Sequence, residues 1–265
     1  MRLVSETSLP PQVEEIERRI RWPAPAALAF LGILAMLLVV AIVPLIAPPR
    51  VSEGLPDDPD VRAAAALLRG MAPVPQSGLA FGSALFGAED ARSVGRAMSA
   101  AERAVTLAQA RSHLEQARRR IGGDPRLRVF FAHLDLAEGA DAAEAGDRHH
   151  SLDLLGSAGR GYRGVADGRT EVPEARMGLG TLLDFNADHQ TDAERQRGFR
   201  LMAIAQFAAV RPHERVYPAA LYDRALLLAR VERRAEAQRR AAEYLRMDAT
   251  SVRAERLREE VGLGR

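Results

Sequence analysis

One long uncharged, apolar stretch constrains this chain more than any other feature of its sequence. No charged residue occurs between Trp22 and Pro49, and the stretch is dense in Ala, Leu, Ile and Val. At about 1.5 Å per helical residue, Ala26 to Ala47 alone matches the roughly 30 Å hydrocarbon core of a bilayer. The stretch therefore predicts a transmembrane helix over 22–49 that contacts the lipid bilayer. The predicted membrane-anchoring residues are Trp22, Leu28, Phe30, Leu34, Leu38 and Ile42.

A cleavable signal peptide is the alternative interpretation of this stretch. Its apolar region would span only about 7–15 residues, and the cleavage-like site at 45–47 is followed by two prolines that disfavour processing. Three arginines within 18–21 precede the stretch, whereas only Arg50 follows closely, so the positive-inside rule predicts a cytoplasmic N-terminus. The expected location is the bacterial inner membrane, single-pass, with the C-terminal domain in the periplasm. The inverted topology, with a cytoplasmic adaptor domain, is the other possibility.

The rest of the chain divides into segments of different composition. Residues 1–21 are predicted to be a short cytoplasmic segment, 50–88 a linker, and 89–265 a helical domain. The linker contains an apolar run over 71–87 that is punctuated by Gly and Pro and has neither a helical nor a strand period. This run either packs on the first helices of the domain or docks on a partner. Its candidate partner-binding residues are Leu79, Phe81, Leu85 and Phe86.

Helical periodicity dominates from residue 89 onward. Apolar residues recur at spacings of three and four, as on one face of an amphipathic helix. Between two such segments, Gly122-Gly123 predicts a helix end and Asp124-Pro125 predicts the next helix start. Runs of β-branched residues are absent from this part of the sequence. The predicted fold class is therefore all-α, with one N-terminal transmembrane helix followed by an array of antiparallel helix pairs.

A repeated helix-pair unit is clearest over residues 218–250. Large apolar residues alternate there with small residues at the points where two helices must approach closely. The unit resembles a tetratricopeptide repeat, with Asp248-Ala249 standing where that family usually has Asp-Pro. More degenerate units extend the resemblance over roughly 90–263, and another helical-hairpin array would give a similar pattern. The predicted repeat-packing residues are Leu221, Ala225, Leu228, Ala237, Ala241 and Tyr244. The resemblance implies a stack of helix pairs whose concave surface binds peptides or partner helices.

Residues that commonly carry chemistry do not form a recognisable site in the sequence. Because there is no Cys or Lys, thiolate metal sites and lysine-dependent mechanisms are excluded. Adjacent residues on a helix point about 100° apart, so His149 and His150 would chelate a metal poorly. No metalloprotease, nucleophile-elbow or phosphate-loop motif is present. We therefore expect no catalytic residues, no cofactor and no metal, and the formal charge of +2 gives no reason to expect nucleic acid as a partner.

Two charged runs allow more than one interpretation. The run Arg118-Arg119-Arg120 complements the dipole at a predicted helix C-terminus, or it binds a phosphate or lipid headgroup. Asp184, Asp188 and Asp192 lie around a helix break without the spacing of a calcium loop. For these three aspartates, helix capping is the preferred explanation.

The sequence as a whole predicts a non-catalytic accessory or scaffold subunit. Its expected partners are the lipid bilayer and other membrane protein subunits, and it would bind, stabilise or help to assemble a larger inner-membrane complex, photosynthetic or respiratory among others. One alternative is a periplasmic chaperone or adaptor for secretion or cytochrome maturation. Another is a cell-envelope enzyme whose site would require two converging carboxylates.

Overall fold

The structure, a computed structural model, describes residues 55–68, 98–168 and 172–263. The chain divides into Met1–Pro48 and Pro49–Arg265, and every described residue belongs to the second unit. Within the described ranges the regular structure is entirely helical, without strands. The helices are α1 (Pro59–Leu68), α2 (Ala100–Ile121), α3 (Pro125–Glu144), α4 (Arg148–Ala166), α5 (Pro173–Asp188), α6 (Ala193–Ala208), α7 (Tyr217–Arg230), α8 (Arg234–Met247) and α9 (Val252–Val261).

The predicted membrane placement requires correction. No helix in the part of the chain that the structure describes is both long and apolar enough to cross a membrane. The longest of them, α2, has 22 residues but carries charged side chains along its whole length. The predicted transmembrane helix over 22–49 lies outside the described residues, as do its anchoring residues. For the described ranges we therefore correct the fold class to all-α with no helix that could span a membrane, and we withdraw the predicted single-pass location in the inner membrane. The predicted anchoring residues, all outside the described ranges, are Trp22, Leu28, Phe30, Leu34, Leu38 and Ile42.

Successive helices pack as pairs, in a repeat-like order along the chain. Helix α3 packs on α4, α5 on α6, and α7 on α8, and a turn of three or four residues reverses the chain within each pair. The first helix of each of these pairs also contacts the second helix of the pair before it, so that α2 meets α3, α4 meets α5, and α6 meets α7. Helices α1 and α2 also pack on each other, and α9 contacts both α7 and α8.

Local sequence signals explain several of the helix boundaries. Ser99 and Glu102 form a capping box at the start of α2, each side chain accepting the backbone N–H of the other residue. Asp124 caps α3, whose first residue is a proline that needs no hydrogen-bond partner for its nitrogen. At the end of α9, Gly262 adopts the left-handed conformation (φ 69°) that favours glycine.

Glycines allow the central helices to pack unusually closely. A Cβ added at Gly180 of α5 would lie 2.5 Å from Cε1 of Phe207 of α6, and one added at Gly178 would overlap the ring of Tyr162 of α4. Both aromatic side chains are at most 1% exposed. The aromatic rings of α4 and α6 therefore sit against bare backbone of α5, and a single hydrophobic core runs from α1 to α9.

Helix α1 is fixed to α2 by a polar clamp and an apolar face, although it lies within the residues 50–88 predicted as a linker. Asp58 accepts the backbone N–H of Asp60 at 2.9 Å, and its two carboxylate oxygens each accept a hydrogen bond from Arg120 of α2 at 2.9 Å. Arg120 also binds Asp60, whose other oxygen lies 2.7 Å from Nδ1 of His113. Four apolar side chains of α1 are fully buried: Val61, Ala64, Ala65 and Leu68.

Candidate binding groove

A groove of about 430 Å³ opens between the C-terminal end of α2, the first half of α3 and the middle of α4. Its volume lies within the usual range for ligand sites, roughly 300–1,000 Å³. Helix α3 forms the floor, and α2 and α4 form the two walls. The lining residues are Arg118 and Gly122 near the end of α2, Leu127, Arg128, Phe131, Ala132 and Asp135 on α3, and Ser157, Arg160 and Gly161 on α4.

Glycine on α4 lets this helix approach α3 closely beside the groove. A Cβ added at Gly161 would lie 2.9 Å from Cβ of Ala132 and 3.7 Å from the backbone oxygen of Arg128, so α3 and α4 are in close contact there. A Cβ added at Gly156 would lie 3.4 Å from Nη1 of Arg160. The side chain of Arg160 therefore reaches back along α4 towards the preceding turn.

The floor of the groove combines an aromatic ring with positive charge. The partly buried ring of Phe131 lies under the guanidinium of Arg118, which is 5.5 Å from the ring centroid. This distance is within the range of a cation–π interaction, about 6 Å. Arg118 also pairs with Glu115 at 2.7 Å, but both side chains are exposed, and such pairs hold little energy. Arg118 can therefore leave Glu115 for a carboxylate of a ligand at little cost in free energy.

Two further arginines are exposed in the groove without an acidic partner. Within the described ranges, no hydrogen bond or ion pair engages the side chain of Arg128 or of Arg160. The one carboxylate in the lining, Asp135, accepts hydrogen bonds from Arg111 at 2.7 Å and from the hydroxyl of Ser157 at 2.6 Å. Since three arginines and only this one carboxylate line the groove, the groove presents a net positive charge.

Other buried ionisable groups among the described residues lie inside the helix array and away from the groove. Asp184 of α5 is fully buried between Arg230 (3.0 Å) and Arg200 (3.4 Å), and burial raises the pKa of its carboxyl group against the opposing effect of these arginines. Burial lowers the pKa of His133 to about 3, with Arg103 adding to the effect, so its ring is neutral at physiological pH. Neither group lines the groove.

The residues predicted from the repeat pattern lie elsewhere. Leu221, Ala225 and Leu228 are buried in α7, and Ala237, Ala241 and Tyr244 are buried in α8. They hold this helix pair together and do not line the groove. The predicted partner-binding run, with Leu79, Phe81, Leu85 and Phe86, lies outside the described residues.

The sequence pointed to one part of the groove, as a helix-end charge or a phosphate or headgroup site. The run Arg118-Arg119-Arg120 is divided by the structure, because Arg118 faces the groove while Arg120 binds α1 on another side of α2. A further signal in the sequence was the cluster of glycines around Arg160 in α4. In the described part of the chain, no cluster of His, Asp and Glu is arranged to hold a metal ion.

No protein-family model matches this chain, and comparisons with curated proteins and with solved structures also found no match.

Proposed function

We propose that this chain is a non-catalytic accessory or scaffold protein whose tetratricopeptide-like helix array holds a partner protein in the α2–α4 groove. The observation that carries the proposal is the groove itself. It is concave, has an apolar floor and is lined by arginines, one of the residue types that contribute most to protein interfaces. In an array of stacked helix pairs, each pair packs only on its neighbours along the chain. One side of the array therefore remains open as an extended concave surface.

The side chains of the groove favour binding over catalysis. An acid–base mechanism needs a proton acceptor and a proton donor within hydrogen-bond reach of a substrate. Among the lining residues, the single carboxylate is Asp135, and both of its oxygens already accept hydrogen bonds. The Ser157 hydroxyl donates to that carboxylate, so no base is positioned to activate it as a nucleophile.

To test this function, the chain is extracted from its native cells under mild conditions and separated by size. Mass spectrometry then identifies the proteins that migrate with it. We expect the wild-type chain to co-migrate in fixed ratio with another protein, and the Arg128→Glu/Arg160→Glu variant to lose that protein. The matched control is Arg197→Glu/Arg239→Glu, which reverses two exposed arginines of α6 and α8 that likewise have no side-chain partner among the described residues. Exposed substitutions of this kind change stability by only about 0.5 kcal/mol.

Two results would overturn the proposal in different ways. Migration of the wild-type chain alone would refute the scaffold function. Retention of the partner by the groove variant would leave a scaffold function but place its binding surface elsewhere.

A further inference from the structure

Resting on the proposed function, we infer that the groove recognises an acidic peptide segment of its partner, with a carboxylate held by Arg128 and Arg160 and a neighbouring apolar side chain set against Phe131. The sequence of the chain does not identify this chemistry, since the repeat resemblance implies only that some peptide binds. The inference follows from three properties of the groove.

The first property is the convergence of guanidinium groups. Arg128 projects from α3 and Arg160 from α4, and the close contact of these helices at Gly161 brings the two residues to the same cavity. Exposed arginines are common on this domain, but these two line one cavity together. Here two unpaired guanidiniums share a concave site, where a carboxylate can accept hydrogen bonds from both forks.

The second property is the apolar floor beside these charges. Leu127 is buried and Phe131 is partly buried, and both line the cavity. A free inorganic anion would gain nothing from this floor. A peptide can place a carboxylate on the arginines and the adjacent large side chain on the ring, and Arg118 above the ring adds a third positive charge. The combination therefore favours a peptide that carries both groups.

The third property is the engaged state of Asp135. An unpaired carboxylate in the cavity would compete for the arginines, but Arg111 of α2 pairs with one oxygen of Asp135 and Ser157 donates to the other. Arg111 itself is held by Glu138 as well, at 2.9 Å. Because these bonds fix Asp135 against the wall, its charge does not compete for Arg128 or Arg160.

The test is selection of binders to the full chain from an unbiased displayed library of random peptides, followed by fluorescence anisotropy with the enriched sequences. We expect enrichment of Asp or Glu next to a large apolar residue. Replacing the acidic residues of a selected peptide by their amides should abolish binding, since each charge-assisted hydrogen bond contributes roughly tenfold or more to affinity.

Variants of the chain locate the contact. Arg128→Gln and Arg160→Gln should each weaken the selected peptide about tenfold or more, and Arg128→Lys should recover part of the loss because it restores charge without the fork geometry. Phe131→Ala should weaken the peptide without removing its preference for acidic residues. The control Arg197→Gln should bind as the wild type does, and each variant is accepted only if its helical melting transition is retained.

Three outcomes would overturn the inference: enrichment of neutral or basic peptides, failure to enrich any sequence, or displacement of the peptide by an equal concentration of inorganic phosphate. The last would indicate a general anion site. These failures are distinguishable from failure of the scaffold function. A native partner that depends on the groove but lacks an acidic segment would contradict only the peptide chemistry.

Discussion

Substitution of Gly180 by Ala tests the close packing that defines the centre of this domain. The added Cβ would lie 2.5 Å from Cε1 and 2.6 Å from Cζ of Phe207. Non-bonded carbon atoms prefer a separation of about 3.5–4.0 Å, so the ring must move by roughly 1 Å. Phe207 is only 1% exposed, and a close-packed interior gives it little space to move into.

Two opposing effects set the expected magnitude. Replacing Gly by Ala within a helix stabilises it by about 1 kcal/mol, because Ala has the higher helix propensity. Overpacking a filled core costs about 1–3 kcal/mol. Gly180→Ala should therefore lie between neutral and about 2 kcal/mol destabilising. The matched control is Gly198→Ala in α6, where an added Cβ meets no atom within 4 Å and the helix propensity alone should stabilise by about 1 kcal/mol.

Urea unfolding followed by far-ultraviolet circular dichroism measures the difference between these variants. We expect Gly180→Ala to unfold at a lower urea concentration than Gly198→Ala, by an amount equivalent to about 1–3 kcal/mol. Adding Phe207→Leu should remove part of the Gly180→Ala penalty, giving a coupling energy of about 1 kcal/mol in the double-mutant cycle. Equal stability of the two glycine variants, without coupling to Phe207, would refute the close approach of α5 and α6.

Two further perturbations address the ends of the array. Ala237 of α8 is fully buried, so Ala237→Trp should destabilise the chain by about 1–3 kcal/mol or more. The control Arg239→Trp, on the exposed face of α8, should leave the stability unchanged. An unchanged urea transition in Ala237→Trp would argue against the pairing of α7 and α8. Arg120 lowers the pKa of Asp58 to about 2, so the clamp on α1 stabilises the fold above the ordinary Asp pKa of 3.8 and is lost as pH falls towards 2. Nuclear magnetic resonance titration of the Asp58 carboxyl should show this low pKa and a rise towards 3.8 in Arg120→Gln; an unshifted pKa in the wild type would contradict the clamp.

Helix boundaries that depend on neighbouring residues were predictable from the sequence. Gly122-Gly123 predicted the end of α2 and Asp124-Pro125 the start of α3, and both predictions are confirmed. These signals are readable because the capping side chain and the amide that it binds are only two or three residues apart. All-helical structure in the described ranges is also confirmed, since a period of three to four residues is a local property.

The roles of charged residues depend on distant partners and were predicted poorly. Of the three aspartates interpreted as caps, only Asp192 caps a helix, accepting the amides of Glu194 and Arg195. Asp184 is instead a buried ion-pair partner of arginines from α6 and α7, and Asp188 pairs with the arginine of α6. A sequence shows the aspartates at regular spacing, but the arginines that determine their roles lie 12 to 46 residues away.

The groove was beyond sequence reasoning for a related physical reason. It exists because Gly161 lets α3 and α4 touch, and because α2 ends beside them. Neither fact follows from helical periodicity, which identifies the apolar face of a helix but not which helix covers it. The repeat pattern therefore directed attention to the buried residues of α7 and α8 and away from the exposed residues of α3 and α4.

The exclusive use of Arg as the basic residue explains how this domain comes to have unpaired positive charge. A guanidinium is a planar fork that can bind two carboxylates at once, which the compact ammonium group of Lys does less well. Three arginines do so here: Arg111 with Asp135 and Glu138, Arg120 with Asp58 and Asp60, and Arg200 with Asp184 and Asp188. Each such bridge occupies two acidic residues with one arginine, although the chain has 37 basic and 35 acidic residues. Pairing of this kind leaves arginines in excess, and those of the α2–α4 groove are the ones placed where a partner's carboxylates can reach them together with an apolar floor.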